Sequence, residues 1–418
     1  MILSSNLMER LTPDENGPSV VSVNLLNVAR MVSTSVDLLE YGVYRHGERV
    51  AYIAYRIFKE MYPGGETLPI VLAGLLHDIG IDTEELKREV RNFILDDYII
   101  AKHSREGEML LDKVDLFSGI KPFVRHHHTR YKDIGRFANE AVPIEAQILC
   151  LADRIEVLID QNQYILTQKE KIESKIKGFS GVMFNPEIVS TFLDLSNKES
   201  FWLDIDNQYM LDQLWSGGFD GYRTAVEGDI QQIAELCASI VDRKSSFTHI
   251  HSKRVATIAR KLGEEFDMGQ DDLFLLEMAG ELHDIGKLSI PLSILHKTGK
   301  LAPEEYGIIR QHTYYTYYLI DRLDMMDKVR DWAAFHHERL DGSGYPFHLK
   351  GNELDLGSRI LALADITTAL SEDRPYRKGF SKGEIMDILW EQVREDKVDG
   401  DVVRALEKNF DYIVLNKN

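Results

Sequence analysis

Ten of the fourteen histidines in this 418-residue chain fall at five positions that occur twice, in the same order. The first set is His46, His77, His103, His127 and His128; the second is His251, His283, His312, His336 and His337. Each set carries two aspartates, Asp78 and Asp153 in the first, Asp284 and Asp365 in the second. The spacing of 24 residues from His103 to His127 matches that from His312 to His336 and selects His127-His128 over a pair beginning at His126. A buried imidazole needs a partner for each ring nitrogen, so several of them gathered with carboxylates point to metal. Five imidazoles and two carboxylates exceed the needs of one tetrahedral ion. They suit two octahedral ions that share a carboxylate and keep positions for water. Donors without thiolate favour iron or manganese over structural zinc, and no organic cofactor is expected. Two ions roughly 3.5–4 Å apart are suited to activating water for displacement at phosphorus.

The elements that must position these groups read as helices. Val50, Ile53, Ala54 and Ile57 recur at helical spacing after His46, as do Val255, Ile258, Ala259 and Leu262 after His251. Both imidazoles therefore lie on the apolar face. Proline is sparse and alternating strand patterns are hard to find, so the fold class is all-α. Matching segments keep their order while the offset between copies drifts from 205 (His46, His251) to 212 (Asp153, Asp365), the signature of a duplication with small loop changes. The expected organisation is a flexible lead at 1–19, a first domain at 20–200, a linker with a connecting helix at 201–234, and a second domain at 235–418.

A formal charge of −19 disfavours a nucleic-acid polymer as partner but leaves room for a small anion beside local cations. Cys150 and Cys237 are too few for a disulfide framework, which suggests a reducing compartment. With no signal-like start and no apolar run long enough to span a bilayer, the expectation is a cytoplasmic protein with no membrane partner.

The His-Asp pairs with flanking apolar helices resemble the HD superfamily of metal-dependent phosphohydrolases. In the second copy, Leu282-His-Asp-Ile-Gly-Lys287, the run from His336 through Gly344-Tyr345-Pro346, and Asp373-Arg-Pro-Tyr-Arg377 resemble the bacterial HD-GYP phosphodiesterases. That resemblance implies hydrolysis of a cyclic dinucleotide, cyclic di-GMP or cyclic GMP-AMP, by metal-bound hydroxide. It implies that Asp284 bridges two ions, that His251, His283 and Asp365 complete one shell, and that His312, His336 and His337 complete the other. Lys287 is implied as a catalytic and phosphate-holding cation, and Tyr345, Arg374 and Arg377 as substrate contacts. Family members with three metals carry a Glu four residues before the first His; Phe247 stands there, so two ions are expected. The family's Gly four residues after the middle His is here Thr316, inside a cluster of tyrosines read as helix packing or as a narrowing of the pocket.

The first copy resembles only the broader HD pattern. It retains His46, His77, Asp78, His103, His127, His128 and Asp153, enough for a second metal site, but has Ile81 in place of the lysine and no Gly-Tyr-Pro loop. Regulation or homodimer formation is expected of it rather than catalysis. The competing readings for the whole chain are another HD-type nucleotide phosphohydrolase and a non-catalytic signalling scaffold. The Gly-Tyr-Pro loop argues against the former and the two complete ligand sets against the latter.

Overall fold

The computed structural model describes residues 20–39, 45–94, 97–136, 141–207, 209, 211–212, 215, 219–244, 251–297, 299–323, 326–373 and 378–415. The lead at 1–19, Phe247, Arg374 and Arg377 lie outside the described residues. The chain divides into two compact units, residues 1–232 and 233–418.

The first unit begins with β1 (Val20–Asn24) and α1 (Leu25–Asp37), followed by α2 (His46–Met61), α3 (Leu68–Leu76), α4 (Glu84–Val90), α5 (Asp97–Leu111), α6 (Lys121–His126) and α7 (Ile144–Val157). It continues through α8 (Ile165–Gly178), α9 (Pro186–Ser196), α10 (Glu199–Asp206) and β2 (Tyr222–Val226), and α11 (Glu227–Lys244) crosses into the second unit. Helix α2 packs on α3 and α7, burying Val50, Ile53, Ala54 and Ile57. Part of the segment expected as a linker is folded into this unit. Phe201 and Trp202 of α10 are fully buried, and the Trp202 indole donates to the Ser196 carbonyl at 3.0 Å. Strand β2 pairs antiparallel with β1, Val20 opposite Val226 and Asn24 opposite Tyr222. The fold is thus helical with one two-stranded ribbon. That ribbon escaped the sequence reading because five-residue strands give little alternation and the two strands stand at opposite ends of the first unit's sequence.

The second unit repeats the arrangement with α12 (His251–Glu264), α13 (Gln270–Leu282), α14 (Leu292–Leu295), α15 (Pro303–Ile320), α16 (Asp327–Ala334), α17 (Leu356–Ser371), α18 (Lys382–Arg394) and α19 (Gly400–Lys408). Helix α12 packs on α13 and α17. Asp355 caps α17 by accepting from the Ser358 amide at 2.9 Å, and its other oxygen accepts from the Trp332 indole at 2.6 Å, tying α17 to α16. The helix pair that carries the first His and the His-Asp step is drawn close by a glycine in each unit. A Cβ on Gly280 would lie 2.5 Å from the Ala256 Cα, and one on Gly74 would lie 2.5 Å from the Ala51 Cα. Only glycine permits this approach.

Candidate metal centres

Helix α13 ends at His283, and Asp284 opens a tight 3-10 turn at Ile285–Ser289. The break lets two adjacent residues aim at different parts of one site, which a continuous helix would forbid. The His283 Nδ1 donates to the Gly280 carbonyl at 2.7 Å, the His312 Nδ1 to Ile309 at 2.7 Å, and the His336 Nδ1 to Ala333 at 2.6 Å. Each bond spends the ring's one N–H on a carbonyl three residues earlier, so each Nε2 is left as a lone pair turned inward. Burial, with neighbouring imidazoles, holds His336 well below the usual histidine range and pushes His312 down to about 3. Burial likewise pushes His337 down to about 4. These rings are neutral, the form that ligates metal.

Asp284 sits among them. Its Oδ2 is 3.2 Å from the His283 Nε2, while Oδ1 is 3.6 Å from the His312 Nε2 and 4.0 Å from the His336 Nε2. The Asp365 Oδ1 lies 3.1 Å from the His251 Nε2 and 3.9 Å from the His283 Nε2. The donor atoms of His251, His283 and Asp365 lie within 4.8 Å of one another, as do those of His312, His336 and His337 and those of His283, Asp284 and His336. Burial opposes the charge on Asp284, but His283 and Lys287 outweigh it and hold the carboxyl well below its usual range.

The donor set fits divalent metal on an observation independent of any pattern. The His283 Nε2 and Asp284 Oδ1 are buried without a hydrogen-bond partner, and so is the His128 Nε2 of the first unit. Buried polar atoms of this kind are costly unless something satisfies them. Nitrogen and carboxylate lone pairs converging on one point are satisfied by a cation.

The Lys287 ammonium donates to the Asp284 Oδ2. Tyr345 is brought in by its loop: Gly344 lies against the backbone of Glu338, where a Cβ would come within 2.4 Å of the Glu338 Cα. The Tyr345 amide donates to the His337 carbonyl at 3.2 Å, and the two rings sit 5.0 Å apart. The buried Glu338 carboxylate accepts from the amides of Phe347 and Leu349 at 2.7 and 3.1 Å and so shapes the same loop. Thr316 ties α15 to the turn that follows His283. Its hydroxyl donates to the His283 carbonyl at 2.9 Å and accepts from the Gly286 amide at 3.1 Å, while Tyr314 and Tyr318 are exposed on the helix surface.

The first unit gathers a parallel cluster. His77 and His127 donate Nδ1 to the carbonyls of Gly74 and Val124 at 2.8 and 2.6 Å. The donor atoms of His46, His77 and Asp153 converge, as do those of His103, His127 and His128. Asp78 stands between them, Oδ2 3.5 Å from the His46 Nε2 and Oδ1 3.4 and 3.9 Å from the Nε2 atoms of His77 and His103.

Three groups of side chains were missed in the sequence. Lys87 of α4 is fully buried, with its ammonium 3.3 Å from both Asp78 and Asp37. Its pKa is raised because these carboxylates outweigh the burial that lowers it. Arg154, also buried, donates to the Asp153 carboxylate at 2.5 Å. The third group orients the leading histidine of each set: Glu156 accepts from the His46 Nδ1 at 2.5 Å, and Glu372 lies 3.1 Å from the His251 Nδ1. Burial lowers the His251 pKa, but Asp365 and Glu372 outweigh it and raise it to about 9. Glu156 follows Asp153 by three residues and Glu372 follows Asp365 by seven, one and two helical turns, which is the signal that could have found them.

Histidine–aspartate clusters of this composition inside a helical bundle define a metal-dependent phosphohydrolase of the HD type. Residues 43–158 and 235–402 each match the HD domain family. The chain is 33% identical over 407 residues to the 3'3'-cGAMP-specific phosphodiesterase 1 of Vibrio cholerae, covering 94% of this chain and 92% of that protein. It is 37% identical over 158 residues to a cyclic di-GMP phosphodiesterase of Thermotoga maritima, 37% of this chain and 42% of that one. The crystal structure of a cyclic GMP-AMP specific phosphodiesterase of V. cholerae shares the fold, with a TM-score of 0.66 at 21% identity over 93% of this chain and 98% of that chain. The chain belongs to the HD-GYP family of cyclic-dinucleotide phosphodiesterases, with an additional N-terminal HD domain that lacks the Gly-Tyr-Pro loop. Among the described residues, no helix is long and apolar enough to cross a membrane.

Proposed function

We propose that the second unit opens a cyclic dinucleotide by hydrolysing a phosphodiester, with 3',3'-cyclic GMP-AMP and cyclic di-GMP as substrates. The observation that carries this reading is the posture of Asp284, whose two oxygens face different donor sets while one of them and the His283 Nε2 lack partners. The relative that aligns over nearly the whole chain, named for cyclic GMP-AMP, supports the choice of substrate. His251, His283 and Asp365 would hold one ion, His312, His336 and His337 the other, with Asp284 between them. Bound divalent ions, iron or manganese on the donor chemistry, supply charge neutralisation at phosphoryl oxygens and make water more acidic.

The chain's own groups do the rest. The Lys287 side chain is 24% exposed and can turn from Asp284 to a phosphate oxygen. Tyr345 walls the site beside His337. The roles of Arg374 and Arg377 in clasping the second phosphate rest on the Asp373-Arg-Pro-Tyr-Arg377 motif. In the reaction, water's oxygen bonds to phosphorus, one ester P–O bond breaks, and the proton ends on the departing ribose oxygen. The first unit is read as regulatory or dimer-forming, because it has Ile81 where the second has Lys287 and lacks the Gly-Tyr-Pro loop, while the cation on its Asp78 is the fully buried Lys87. Chromatography of products after incubation of metal-loaded protein with each cyclic dinucleotide is the test. Linear or mononucleotide products that vanish with chelator are expected; intact substrate in every case would refute the reading.

A further inference from the structure

Arg310 lies on α15, two residues before His312. Its guanidinium carbon sits 4.8 Å from the centroid of the Tyr345 ring, whose other neighbour is the His337 ring at 5.0 Å. Tyr306, one turn earlier on α15, meets Tyr345 edge-on at 6.4 Å and is 48% exposed. A row therefore runs from the metal-facing histidines outward: His337, Tyr345, Arg310, with Tyr306 beside it.

Several arginines of this unit are held by carboxylates, and the one at the end of this row is not. Arg330 bonds Asp321, Asp327 and Asp331, Arg254 bonds Glu372, and Arg359 bonds Asp399. Among the described residues, no carboxylate lies within 4.0 Å of the Arg310 guanidinium, although acidic residues number 68 against 49 basic ones. The cation–π contact with Tyr345 anchors the guanidinium carbon over the ring, and the planar group keeps N–H donors for a ligand. Tyr306 adds a half-exposed aromatic face to the row.

A planar fork of donors beside an aromatic surface suits a purine that offers two acceptors on one edge. Guanine does so with N7 and O6, whereas adenine presents one acceptor and an amino donor that would oppose the fork. We propose that Arg310, held by Tyr345, reads the guanine edge of the substrate and sets the preference for guanine over adenine. This rests on the cyclic-dinucleotide reading of the second unit and adds to it a residue that selects the base.

The test uses the full, metal-loaded chain turning over 3',3'-cyclic GMP-AMP, with cyclic di-GMP and cyclic di-AMP as competing inhibitors. Arg310→Ala is expected to raise the inhibition constant for cyclic di-GMP by about tenfold or more, the size of one lost bidentate base contact, and to leave that for cyclic di-AMP within about twofold. Equal losses for both would mean a phosphate contact or general support of the site, and no change in either would mean no contact; each overturns the proposal. Should the wild type hydrolyse no cyclic dinucleotide, the phosphodiesterase reading fails separately. Calorimetry with GMP and AMP then still reads the base: a loss confined to GMP in Arg310→Ala upholds the role of Arg310, and equal affinities in wild type and variant overturn it.

Discussion

The Lys87 ammonium lies 3.3 Å from the Asp78 carboxylate, the contact that Lys287 makes with Asp284 in the other unit, although the two lysines come from different elements. Lys287 follows its aspartate within the same turn, and its side chain is 24% exposed. Lys87 arrives from α4, is 1% exposed, and is gripped by Asp37 as well. One is a charge that can leave; the other is built in.

Removing the built-in charge should therefore cost stability. Lys87→Ala leaves Asp37 and Asp78 buried without their cation, a change of about 3–5 kcal/mol for a broken buried pair. Lys287→Ala should cost distinctly less, because the Lys287 side chain is 24% exposed and, among the described residues, grips one carboxylate where Lys87 grips two. Denaturant unfolding of the two variants checks this, and similar losses would show that Lys87 is no more structural than Lys287.

Catalysis should separate the units in the other direction. Asp284→Ala is expected to reduce turnover of a cyclic dinucleotide by at least about a thousandfold, since the carboxylate between the two donor sets is lost. Asp78→Ala should keep turnover within about tenfold of wild type. A folded Asp78→Ala protein as inactive as Asp284→Ala would place chemistry, or obligatory coupling, in the first unit.

The close approach of α12 and α13 gives a packing test. Gly280→Ala would press a methyl group onto the Ala256 backbone and should cost about 1–3 kcal/mol. Gly307→Ala, at a mid-helix position on α15 where an added Cβ meets nothing within 4 Å, should instead stabilise by about 0.5–1 kcal/mol. Unfolding midpoints that move the same way for both would contradict the packing described for Gly280.

Neither cysteine should react in the native protein. Burial pushes the thiols of Cys150 and Cys237 up to about 12, so the thiolate is scarce at neutral pH as well as shielded. Labelling with a thiol reagent should be negligible until denaturant is added, when two equivalents per chain should appear. Rapid native labelling at pH 7 would show that one of the two sites opens.

Much of this molecule could be read from the order of its residues. The duplicated set of His46, His77, Asp78, His103, His127, His128 and Asp153 is visible because ligand chemistry restricts residue type, and a duplication keeps order and spacing. The helices were legible because apolar residues after His46 and His251 repeat at the helical period. Which cation answers which carboxylate was not legible. Lys287 can be guessed from a separation of three residues, but Lys87 meets Asp78 only because α4 folds back across the cluster. The pairing of β1 with β2, the burial of Trp202 in a stretch read as linker, and the placing of Arg310 on Tyr345 are contacts between segments far apart in sequence. Such contacts leave no local period. Chain connectivity fixes which groups are present and on which helical face they stand; only packing decides which of them meet.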